Sequence, residues 1–117
     1  MAPVTCGSKT WPSRAAAERE ITALKVRVRD EDSVDHRVEF TDPEGFKKRG
    51  HRIPDEDLLW MYKLFSFHPR AEEKLADGVN EVAVAPGRFN RGVAFFFKSD
   101  TGVWNDISIH KCLNGMA

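Results

Sequence analysis

The sequence holds only two cysteines, one tyrosine, no excess charge of either sign and no long apolar run. Each shortage excludes something. Eighteen lysines and arginines balance eighteen aspartates and glutamates. That balance argues against a protein held to nucleic acid by bulk charge, while leaving a local basic patch open. The greasiest stretch, Leu58 to Phe65, is eight residues long and includes Lys63. Spanning a bilayer takes about 20 apolar residues, so no membrane span is expected. The start, Met1-Ala2-Pro3-Val4, has neither the basic beginning nor the apolar run of a secretory signal. Cys6 and Cys112, near opposite ends of the chain, are therefore expected as reduced thiols in a cytoplasmic protein.

What is present describes one soluble domain over residues 1–117, with 41% apolar and 31% charged residues. A chain of this length buries roughly two thirds of its unfolded surface and needs no metal or disulfide to fold. The element order can be read from periodicity. Val4 to Trp11 reads as a hairpin around Gly7-Ser8. Ser13 suits the N-cap of a helix running to about Val26, with Ala17, Ile21, Leu24 and Val28 on one face. Arg29-Asp30-Glu31-Asp32 reads as a charged turn, and Val34, His36, Val38 and Phe40 alternate as in a half-buried strand. Residues 41–53, which begin with the Asp42-Pro43-Glu44-Gly45 turn signal, are expected as a surface loop.

The centre of the chain is an apolar helix. Pro54 and the acidic Asp55, Glu56 and Asp57 suit its positive end, and Pro69 stops it after His68. It is apolar nearly all the way round, which predicts burial on every side. A short helix over 70–76 follows, with Gly78 as its left-handed cap. Glu81–Ala85, Gly92–Lys98 and Val103–Ile109 then read as three strands joined by the Pro86-Gly87 and Asp100-Thr101-Gly102 turns. They form an antiparallel meander. The fold class is α+β: a small antiparallel sheet, from the N-terminal hairpin and the C-terminal three-strand meander, packed against two main helices and one short one.

Several pieces together resemble the DCL family (defective chloroplasts and leaves), in the form of a small stand-alone bacterial-type member. These are the apolar run into Phe67-His68-Pro69, the segment from Ala71-Glu72-Glu73-Lys74 to Gly78-Val79, and the phenylalanines at 95–97. Asp106-Ile107-Ser108 leading to Lys111-Cys112-Leu113 completes the match. The N-terminal hairpin and the Lys9-Thr10-Trp11 to Ala17 helix start match more faintly. The Asp100-Thr101-Gly102 turn and Ile107 depart from the family pattern, and the basic 47–52 stretch lies outside it. The family is known from a plant plastid protein, from the tail of plant-specific RNA polymerase largest subunits, and from small bacterial proteins. The resemblance implies work around ribosomal RNA processing or transcription, and it carries no catalytic mechanism.

Candidate chemistry is sparse. His68 and Cys112 could serve as base and thiol nucleophile, yet no third residue stands out to orient them. The plainer reading is a histidine that ends a helix by bonding backbone, and a cysteine that fills the core. A zinc site would draw about four ligands from Cys6, Cys112, His36, His51, His68 and His110, but no locally spaced pair exists, so no metal or other cofactor is expected. Asp106 and Ser108 share one face of the last strand and more plausibly hold a loop in register than line a pocket.

The strongest candidate surface is basic. Lys47, Lys48, Arg49 and Arg52 stand within six residues, with Arg88 and Arg91 by the 86–87 turn and Lys111 near the end of the chain. Such cations contact phosphates, and nearby Trp or Phe faces stack unpaired bases. The expectation is a non-enzymatic, RNA-associated module. The alternative is a protein-interaction module docking on a transcription or ribosome-assembly complex, and a thiol enzyme is a weaker third. The sequence leaves the oligomeric state open.

Overall fold

The computed structural model describes residues 3–87 and 92–116. β1 (Val4–Cys6) and β2 (Lys9–Trp11) form the expected hairpin, and Gly7 in its turn has φ +59°. The hairpin remains a separate two-stranded sheet. It does not join the main sheet but packs on the helices, where Trp11 meets Trp60 edge-on at 5.8 Å. α1 (Arg14–Glu31) starts where expected, with the Ser13 hydroxyl accepting the Ala16 N–H, and it buries Ala17, Ile21, Leu24 and Val28.

α1 runs five residues past Val26. The anticipated charged turn is its final turn, ended by Asp32 in left-handed geometry (φ 44°). Aspartate tolerates that conformation better than most residues. A single 3₁₀ turn, Val34–His36, then precedes β3 (Arg37–Thr41), so the strand begins later than the alternation of Val34 and His36 implies.

The largest correction concerns residues 41–53. The basic stretch is no loop: Lys47–Arg52 is β4, paired to β3 from Lys47 to His51 and to β5 (Glu81–Pro86) at His51 and Arg52. With β6 (Val93–Lys98) and β7 (Trp104–Ile107), the antiparallel order is β3-β4-β5-β6-β7, five strands in place of the expected three. The class stands as expected, α+β.

α2 (Asp55–Phe65) is also less enclosed than its composition suggests. It buries Asp57, Trp60, Met61, Leu64 and Phe65, one face at helical spacing. Leu59 and Tyr62 face outward, 85% and 48% exposed. The Asp57 carboxylate inside this face accepts the Trp60 indole N–H at 2.8 Å. After the short α3 (Ala71–Lys74), the sheet strands and a final element complete the chain. Residues Ile109–Asn114 form α4, not the end of a strand. Ser108 is its N-cap, accepting the Lys111 N–H. The alternation Val103-Asn105-Ile107-Ile109 disguises that boundary. Among the described residues no helix is long and apolar enough to cross a membrane.

The sheet separates two apolar layers. Val82, Val84, Phe95, Phe97 and Ile107 face the helices and share a core with Trp60, Met61, Leu64, Phe65 and Cys112. The opposite face carries Phe40, Ala83, Ala85 and Phe96, with Val38 and Trp104 against them. Among the described residues no helix packs into this second layer; the sheet curls over it. Phe40 on the first strand of the sheet stacks on Trp104 of the last, centroids 4.2 Å apart and planes within 15°. In a flat sheet those strands would lie four spacings apart, roughly 19 Å.

Small residues make the curl possible. Gly50 sits so close to β5 that a side-chain carbon there would press into the Val84 carbonyl and meet the Ala85 methyl at 3.0 Å. Gly50→Val should therefore overpack the inside of the curl and lower stability by about 1–3 kcal/mol. Urea unfolding reads this as a lower midpoint at an unchanged slope; an unaltered midpoint would mean that the two strands are not so closely packed.

Candidate nucleic-acid interface

The alternation of β4 divides the basic run between two faces. Lys48, Gly50 and Arg52 point to the inside of the curl; Lys47, Arg49 and His51 point to the other side. Lys48 lies opposite Phe40 in register and its side chain is only 8% exposed. Its stem is buried and its head finds oxygen: Nζ donates to the Gly87 carbonyl at 3.1 Å, with the Asp42 carboxylate 3.9 Å away. This hydrogen bond ties the start of β4 to the turn between β5 and β6. Arg88 and Arg91 lie outside the described residues.

The other cations differ in how firmly they are held. Arg49 meets Glu39 directly across the β3–β4 ladder at 3.3 Å, with side chains 89% and 75% exposed. Such open pairs contribute about 0–1 kcal/mol and exchange partners easily. Arg52 is committed: it donates to the Glu81 carboxylate at 3.0 Å and to the Asp35 carbonyl at 2.8 Å. Lys47 is exposed and has no side-chain partner among the described residues. Glu39, Phe40, Thr41, Lys47, Lys48 and Arg49 line a cleft of about 500 Å³.

One anchor of this region is invisible to sequence reasoning. Asp32 at the end of α1 accepts two hydrogen bonds from Arg37 (3.0 and 2.9 Å) and lies 2.6 Å from His51 Nε2. These hydrogen bonds, Arg37's first, hold its carboxyl down to about 2. The local signal is only the charged run Arg29-Asp30-Glu31-Asp32, which does not reveal partners on two later strands.

The residues that carry the family resemblance gather elsewhere, where α2 ends. His68 Nδ1 accepts the Arg70 N–H at 2.9 Å, so the ring caps the turn that Pro69 enforces. Burial, and then Lys74, Lys111 and Arg70, push the His68 pKa down and favour its neutral form. Lys74 Nζ donates to the Asp106 carbonyl at 3.0 Å, with the Asp106 carboxylate 3.6 Å away. Asp106 sits on β7, so this lysine straps the outer edge of the sheet to α3.

Ser108 caps α4, and Lys111 stands exposed on that helix. Gly78 has φ +81° and packs against the Asp100 carboxylate, where a side-chain carbon would collide. These roles are architectural. The thiol-nucleophile reading finds no support: Cys112 is fully buried, and burial first, then neighbouring Cys6, pushes its thiol up to about 12. A reactive cysteine needs the opposite shift. Among the described residues, no three His, Cys, Asp or Glu side chains gather as a metal site.

A family described as "Protein of unknown function (DUF3223)" matches residues 47–113. The chain belongs to the DUF3223 family. The matched region starts at the first residue of β4 and ends inside α4, so it holds four of the five strands of the main sheet and the His68 and Lys74 junction. The solution NMR structure of an uncharacterized protein from Rhodospirillum rubrum is similar to this DUF3223 chain. Its TM-score is 0.71 at 17% identity, with 96% of this chain and 88% of that chain covered, a likeness of fold. No curated protein matches.

Both thiols of this DUF3223 domain are free and buried, and the Cys6 thiol also donates to the Trp60 carbonyl at 3.2 Å. In the native protein an alkylating reagent should leave both unmodified and label them only as denaturant unfolds the chain. Labelling of native Cys112 at the rate of a free thiol would contradict the core described above.

Proposed function

We propose that the chain is a non-enzymatic, RNA-associated module of the DCL type, an accessory in ribosomal RNA processing or transcription. The observation that carries the reading is the cleft of about 500 Å³ that Lys47, Lys48 and Arg49 line together with Glu39, Phe40 and Thr41. At its mouth stand two exposed cations, Lys47 with no side-chain partner among the described residues and Arg49 in an open pair with Glu39. Arg49 can exchange the exposed Glu39 for a phosphate at little cost. Phe40, held in the core of the curl by its stack on Trp104, forms the apolar wall of the cleft. Cations along a groove suit the phosphates of a nucleic-acid strand. Arg52, bound to Glu81 and Asp35, is left to hold the fold, and Lys111 is not among the residues lining the cleft.

A second reading, docking on a protein of a transcription or ribosome-assembly complex, has one observation in its favour. Leu59 and Tyr62 stand exposed one turn apart on α2, and apolar and aromatic side chains of this kind anchor protein interfaces.

A salt series separates the two. Anisotropy of a labelled single-stranded RNA should show binding that weakens steeply with salt. Lys47→Ala with Arg49→Ala should weaken it and reduce the slope by up to ~0.7 for each phosphate no longer neutralised. Absence of binding at ~50 mM salt, where cations hold phosphates most strongly, would overturn the RNA reading and leave the protein partner.

A further inference from the structure

β7 ends at Ile107, opposite Phe95, while β6 starts two residues earlier at Val93. The chain leaves the sheet there through Ser108 into α4. The place a longer β7 would have filled is a groove of about 370 Å³ between α1, β6 and the start of α4. Its floor is Ile21, Phe95 and Ile107, all buried, and Val93 and Ile109 stay partly open to it. Volumes of this order, apolar with a few polar groups, are typical of small-ligand sites.

The charges around the groove are satisfied except for one. Glu18 faces the His110 Nδ1 at 3.1 Å; a carboxylate can only accept, so the ring donates. Asp106 is engaged by Lys74. Lys25 has no acidic partner among the described residues. Its ammonium sits 5.7 Å from the centroid of the Phe95 ring and gives one hydrogen bond, to the Val93 carbonyl at 3.1 Å. An ammonium carries three donors, so two remain available. Burial already pulls this amine below the usual lysine range, the condition that a bound anion would relieve.

We propose that this groove binds a small amphipathic carboxylate, its acid group on Lys25 Nζ and its apolar body over Val93 and Ile109. The site is separate from the β4 cleft and does not depend on the RNA reading. The lone cation selects an anion, and the apolar walls select a short aliphatic or aromatic acid over inorganic phosphate or sulfate.

The test is an NMR titration of the whole chain with hexanoate and benzoate, using hexanamide and benzamide as neutral twins. Saturable shifts at Ile21, Val93, Ile107 and Ile109 are expected in the millimolar range or tighter, with the amides at least tenfold weaker. Lys25→Met keeps the apolar stem and should weaken acid binding by a similar factor. Acid and amide binding alike, unchanged binding by Lys25→Met, or no saturable shift at all would overturn the assignment. The comparison of acid with amide is made on the native chain, so it stands even if the variant fails to fold.

Discussion

The architecture turns on the stacking of Phe40 against Trp104. It joins the two outermost strands of a five-stranded sheet, and strands in those places can touch only if the sheet rolls toward one face. The roll gives the side away from the helices its own small core, so one sheet buries apolar residues on both faces with helices on only one. Rings at this distance and angle contribute about 0.5–1.5 kcal/mol beyond the area they bury. Gly50, Ala83 and Ala85 leave room for them, and Phe96 fills the middle at 5.1 Å from Phe40.

The same roll explains why a strand made largely of charge is stable. β4 contains Lys47, Lys48, Arg49, His51 and Arg52, and no intrinsic propensity favours it. It lies between two strands, buries the stem of Lys48 inside the curl, and meets acidic groups on both faces: Glu39 for Arg49 and Asp32 for His51 on one, Glu81 for Arg52 on the other. Charge that would repel in an isolated segment is neutralised across the ladder. What remains for a partner is little: Lys47, and Arg49 behind an exposed and exchangeable pair. The balanced total charge is thus also a local balance, and phosphate binding there rests on a few cations.

The parts of this fold legible in the sequence are those where one local signal suffices. The 17-21-24-28 stripe and Ser13 define α1, and the valines and phenylalanines of 81–98 define β5 and β6. The parts that are not legible have a common cause, since neighbours distant in sequence decide them. β4 does not show as a strand because its pairing partners and counter-ions lie on β3, β5 and α1. α4 is hidden because Ile107 and Ile109 continue a strand-like alternation, and the capping Ser108 between them is the only local sign of the break. α2 looks buried all round because composition counts apolar residues without saying how many sides have something to pack against; Leu59 is left largely open and Tyr62 half open. Of the candidate sites, the basic run is visible as charge, but which cations are free depends on cross-strand register. The Lys25 groove has no sequence signature, being the gap left where one strand stops short of its neighbour.

That the sheet is closed by its two edge strands meeting is tested most directly by a double-mutant cycle on Phe40→Ala and Trp104→Ala, read by urea unfolding. The structure predicts a coupling energy of about 0.5–1.5 kcal/mol between two residues 64 positions apart. Additive effects, with no coupling beyond the error of the measurement, would show that the rings do not meet and that the sheet is open.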